Sequence, residues 1–180
     1  RVDRVHAGKP GLPHRQQLAD RVVVARQLLV ELGADRPDLA GAVAGATLVV
    51  DYGRPSKRGR RVFGGIVPWN RVWRTGANLA THFTTDRALK FGNDELPPGR
   101  YTLWTLPSES GWMFIVNNQV QQWGTDHDAR FDRFRIPMNV GALPALVEKF
   151  TILVEPFAAG GVIRMRWDTL EASVPFTVGR

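Results

Sequence analysis

From Ala46 onward, apolar and polar residues alternate with period two, and turn residues rather than helices separate the alternating segments. A chain patterned this way can bury one face of each segment only by pairing it into a sheet. The spacing predicts strands at Ala46–Tyr52, Ala80–Thr85, Arg100–Leu106, Trp112–Asn117, Phe150–Glu155, Val162–Asp168 and Ala172–Val178. Val162–Asp168 is the clearest, with Ile163, Met165 and Trp167 alternating with Arg164 and Arg166. That is a half-buried antiparallel strand with an Arg-bearing outer face. Turns are expected at Gly92-Asn93-Asp94, Pro97-Pro98-Gly99, Ser108-Glu109-Ser110-Gly111 and Gly160-Gly161. Short, closely spaced strands without intervening helices predict a mostly β protein, an antiparallel β-sandwich or barrel-like domain.

A different rhythm precedes that domain. Pro13 and Gly33 bracket a segment in which Leu18, Val22, Ala25, Leu29 and Leu32 recur at helical spacing, which predicts a helix over 14–32. Two heptads are too few for a coiled coil, so the helix is expected to dock on the domain or to join two copies of the chain. The organisation is therefore an N-terminal extension, 1–44, and a β domain, 45–180. The chain begins with Arg rather than Met, which fits a processed or trimmed chain. No run of about 18 apolar residues is present, so no membrane span is expected. The absence of Cys rules out disulfides and thiolate metal sites.

The charge is localised. Residues 52–85 hold seven Arg or Lys and no carboxylate; setting those seven of the 24 basic residues aside leaves 17 against 17 acidic ones. The net charge of +7 is thus one local feature. Nucleic acid is not the expected partner, because these residues line no helix face and no nucleic-acid motif is present. Arg54-Pro55-Ser56-Lys57-Arg58-Gly59-Arg60-Arg61 reads as a basic loop after a strand, solvated or closed around an anion, since Arg forks suit carboxylate and phosphate. In Val72-Trp73-Arg74, an extended backbone turns Trp73 inward and Arg74 outward, beside Thr75 and Asn78.

Other chemistries find less support. The histidines are His6, His14, His82 and His127, and Asp126-His127-Asp128 places its carboxylates on the opposite side from the imidazole when extended. No metal site and no cofactor are expected. No Gly-x-Ser-x-Gly elbow, Walker loop or dinucleotide fingerprint occurs. Trp104, Trp112 and Trp123 suit a core better than a sugar platform. His82 with Asp51 offers acid–base chemistry if their strands are neighbours.

Tyr52–Ser56, Gly59–Pro68, Val72–Asn78, Leu96–Tyr101, Gln122-Trp123-Gly124 and Trp167 with Val174-Pro175-Phe176 together form a specific motif set. Over about residues 45–178 the chain resembles the bacterial family called domain of unknown function 2911. The resemblance implies an extracytoplasmic, periplasmic or secreted, β-rich domain and no particular activity. Members often carry Glu after the Gly-Ala-Asn run and Thr three places on; here Leu79 and His82 stand there.

Three readings follow. In the first, the domain binds a small anionic or polar ligand through Arg54, Arg60, Trp73, Arg74, Asn78 and His82. In the second, it is an enzyme with His82 as general acid or base, Asp51 beside it and Arg74 as electrostatic stabiliser. In the third, the helix and basic loop serve assembly.

Overall fold

A computed structural model of the chain describes residues 45–179 and, as backbone, residues 21–23. Nine strands are described: β1 (Arg21–Val23), β2 (Leu48–Gly53), β3 (Thr81–Thr85), β4 (Leu89–Phe91), β5 (Asp94–Leu96), β6 (Gly99–Ser108), β7 (Gly111–Asn117), β8 (Asp132–Phe157) and β9 (Gly160–Val178). They form one sheet in the order β1-β2-β3-β6-β7-β8-β9-β4-β5, every pairing antiparallel. The mostly β, antiparallel expectation holds: each expected strand overlaps a described one, with Ala46, Thr47 and Ala80 falling outside β2 and β3, and Val162–Asp168 and Ala172–Val178 joined in the single strand β9. The strands form a continuous sheet rather than two separate ones.

Alternation explains the strands. Along β2, Leu48, Val50 and Tyr52 are buried while Val49 and Asp51 are half-buried. Along β9, Ile163, Met165 and Trp167 are buried, and Arg164 and Arg166 meet Glu155 and Glu171 on the other face. The inward residues of β2 through β9 make one core, in which Phe91 of β4 lies 5.6–5.7 Å from the rings of Phe114, Phe134 and Phe176.

Two further expectations are corrected. The helix over 14–32 is not found: Arg21–Val23, in its middle, is extended and pairs with Asp51–Gly53. Consecutive β-branched residues from Val22 favour that conformation. The rest of the expected helix lies outside the described residues, so the assembly role it was to serve gains nothing here. The turn expected at Gly160-Gly161 falls instead at Ala158-Ala159, with Ala158 at φ 50°. Gly160 starts β9 because the strand crowds Phe176: a Cβ at 160 would lie 2.1 Å from the Phe176 carbonyl oxygen.

What positions the site is the route of the basic loop. Leaving β2, the chain crosses to the far half of β8, where Phe150 N–H donates to Pro55 O at 2.9 Å and Lys57 N–H to Glu148 O at 2.8 Å. Tyr52 Oη accepts from Ile152 N–H at 3.0 Å just before the crossing. Lys57 Nζ reaches Asp168 Oδ2 at 2.6 Å, at the point where β9 kinks with Asp168 at φ 56°. Among the described residues no helix is long and apolar enough to cross a membrane.

Candidate functional site

The side chains of Ala80, Trp104 and Ile115 form a second, smaller apolar cluster with Val72 and Leu106 against it. Two irregular segments run beside this cluster. The first, residues 69–80, is fixed by paired hydrogen bonds between Trp73 and Thr105, 2.7 and 2.9 Å long. The second, residues 118–128, joins the first where Leu79 bridges Trp123 and Gly124 N–H donates to Asn78 O at 3.0 Å.

The turn between Arg74 and Asn78 is held in a backbone conformation that most residues avoid. Thr75 has φ 53° and Asn78 φ 65°. For β-branched Thr75 this is strain, of the order of 1–3 kcal/mol. Its fully buried hydroxyl donates to Trp73 O at 3.3 Å, and Thr81 Oγ1 donates back to Thr75 O at 2.7 Å. Gly53 makes room for the turn, since a Cβ there would meet Ala77 O at 2.2 Å. Surroundings that tight fix where Arg74 leaves the backbone.

Arg74 lines a cleft of about 630 Å³ together with Arg60, Arg71, Thr125, His127, Trp73, Trp104 and Trp167 among others. Among the described residues, no carboxylate lines it. Arg74 is half-buried, its Nε is enclosed with no hydrogen-bond partner, and its guanidinium makes no ion pair among the described residues. Burial pushes that guanidinium below its ordinary pKa. An enclosed donor left unmade costs about 1–3 kcal/mol. The tryptophans are floor rather than platform: Trp104 and Trp167 are 1% exposed and Trp73 is 7% exposed, with Trp73 stacked on Trp167 at 6.0 Å.

The six expected ligand residues separate into two groups. Arg60, Trp73 and Arg74 meet at this cleft; Arg54, Asn78 and His82 do not line it. Arg54 is spent on β8, donating to Phe150 O at 3.1 Å and Thr151 Oγ1 at 2.7 Å. Arg60 also fastens its own loop, donating to Lys57 O and Ser56 O. Asn78 is exposed and serves the turn. Asp51 and His82 are indeed register partners across β2 and β3. His82 is buried, and its Nε2 accepts from Gln121 N–H at 2.9 Å.

Arg71, Thr125 and His127 were not anticipated. His127 lies with its Nε2 2.8 Å from Asp132 Oδ1, and its ring meets Trp104 edge-on at 5.0 Å. The Gln122-Trp123-Gly124 motif marked the right segment, but only contact explains it. At Gly124 a Cβ would lie 2.0 Å from Arg74 Cδ, so glycine is what lets Arg74 pass.

Compared with curated proteins and with solved structures, the chain matches none. A family model matches residues 36–176, which takes in β2 through β8, most of β9 and every cleft residue named above. By that match the chain belongs to the family described as "Protein of unknown function (DUF2911)".

Proposed function

We propose that the cleft binds a small oxyanion, or a small molecule presenting a carboxylate or phosphate. The observation that carries this reading is Arg74: a half-buried guanidinium whose enclosed Nε has no partner among the described residues, in a cleft to which those residues bring two further arginines and no carboxylate. Cations gathered without counter-charge repel one another, and an oxyanion relieves both that repulsion and the unmade hydrogen bond. A volume of about 630 Å³ suits a small molecule rather than a polymer.

Thermal melts with phosphate, sulfate, citrate and a sugar phosphate test the reading. A ligand at a hundred times its Kd adds about 2.7 kcal/mol, worth about 5–10 °C in a chain of this size. One anion class should raise the midpoint by several degrees; Arg74→Met should abolish the rise, and Lys90→Ala, on the distant β4, should keep it. A flat response across the anions, or a rise that survives in Arg74→Met, rejects the proposal.

A further inference from the structure

His127 stands in the same cleft on a mount that anion binding by arginine leaves unexplained. Its partner Asp132 is surrounded by donors: Oδ1 accepts from Asn117 Nδ2 at 2.8 Å, and Oδ2 accepts from Arg135 Nε at 2.8 Å. Such a carboxylate acts as an acceptor toward the imidazole too, so Nε2 carries the hydrogen and donates it to Oδ1. Trp104 fixes the ring plane from one side. Nδ1 is then the ring nitrogen left for a ligand.

The state of Nδ1 decides what it does to an oxyanion. In neutral imidazole it presents a lone pair, which repels an anionic oxygen; protonated, it donates a charge-assisted hydrogen bond. We infer that His127 is a direct contact of the bound oxyanion and takes up a proton as that anion binds. The cleft then selects an oxyanion together with a proton. The inference rests on the anion-binding reading and adds to it the group that couples affinity to pH.

The surrounding charges give the sign. Toward the cleft stand the guanidinium groups of Arg60, Arg71 and Arg74, whose positive charge opposes the imidazolium while the cleft is empty. On the other side are Asp132, with Arg135 behind it, and Asp128. Hydrogen bonds from Arg130, first of all, hold the Asp128 carboxyl at about 2, so its charge is constant near neutrality. Among the described lining residues His127 is the one imidazole, the side-chain type that can change charge near neutrality. A bound oxyanion reverses the balance in favour of the imidazolium, so affinity falls as pH rises.

Sulfate is the probe, because it does not itself titrate in this range. Calorimetric titration at pH 7 in two buffers of different ionisation enthalpy reads the protons taken up per sulfate bound. Uptake approaching about one proton is expected, with affinity falling about tenfold between pH 6 and 8. His127→Gln should bind sulfate more weakly, with no uptake and a flat pH profile; His127→Asn serves if the glutamine variant does not fold. Sulfate binding by the native protein without proton uptake, or uptake unchanged in the His127 variants, overturns this inference and leaves the anion reading standing. No sulfate binding by the native protein at pH 6 overturns this inference, and no binding of phosphate or citrate either overturns both.

Discussion

Gly124 lies where any side chain would strike Arg74: a Cβ at 124 falls 2.0 Å from Arg74 Cδ and 2.4 Å from Asn78 O. One of those neighbours is the stem of a long side chain and the other is backbone. The first can swing away; the second, fixed by the Gly124 N–H bond to Asn78 O, cannot do so without moving the turn. Gly124→Ala should therefore cost about 1–3 kcal/mol of stability, as overpacking does, and should displace the guanidinium. Urea unfolding reads the first effect and an anion titration the second. A variant with native affinity and native stability would show that Arg74 is not held by this contact.

Tyr52 joins the end of β2 to the far half of β8 through the Ile152 N–H, 100 residues on. Tyr52→Phe keeps the ring's edge contact with Phe150 at 5.8 Å but orphans a buried amide. The expected loss is about 1–3 kcal/mol, measured by denaturant unfolding. Burial raises the Tyr52 pKa above 10.0, against the Ile152 hydrogen bond and the Arg54 charge, which lower it. The folded state thus holds its proton longer than the unfolded chain does. Tyr52 therefore contributes stability in full below about pH 10, and that contribution declines as pH rises through the folded value. Tyr52→Phe should flatten this alkaline decline.

The sheet was legible in the sequence because alternation over five to ten residues records which face is buried. β4 and β5 escaped: three residues each, Leu89–Phe91 and Asp94–Leu96, are too few to show a period, although the turn between them was recognised. The middle of β8 escaped for another reason: residues 139–149 are exposed or half-exposed, so no apolar rhythm marks them as strand, although Phe134, Ile136 and Met138 just before them do alternate. At the site, the basic segment announced Arg60 and Arg74 directly. Arg54 looked equivalent, but β8 passes close enough to absorb its donors, and nothing near residue 54 in the sequence encodes a neighbour 96 residues away. His127 was hidden for the same reason: its value lies in Asp132 and in Trp104, and the local triplet Asp126-His127-Asp128 says nothing of either.

On the outer face of β9, Glu171 receives Arg164 and Arg166 together. Partial burial works to raise its pKa, but the hydrogen bonds from Arg166 and Arg164 outweigh it and hold the carboxyl below 4.5. A depressed carboxyl pKa contributes stability above the unfolded value, and that contribution is lost as pH falls through the folded one. Glu171→Gln should cost about 1 kcal/mol at pH 7, since the cluster is partly exposed. Below about pH 4 the difference between variant and native protein should shrink. Parallel unfolding curves at pH 7 and pH 3 check it; a constant gap would mean that the carboxylate charge is not what holds the pair of arginines.

Arg74 separates a structural role from a functional one by the sign of a stability change. A half-buried guanidinium with an enclosed, unpartnered Nε is a liability to the empty protein, because its desolvation is not compensated. Methionine covers the same stem without the charge or the enclosed N–H. Arg74→Met should therefore stabilise the ligand-free protein, by about 0.5–2 kcal/mol, or a rise of about 2–6 °C in Tm. The same variant should lose its response to anions. Natural binding sites often trade stability for affinity in this way, and the strained Thr75 beside Arg74 fits that pattern. Calorimetric unfolding of the two proteins in anion-free buffer is the measurement. Destabilisation by 1 kcal/mol or more would place Arg74 among the residues that hold the turn, and the cleft would lose its principal claim to be a binding site.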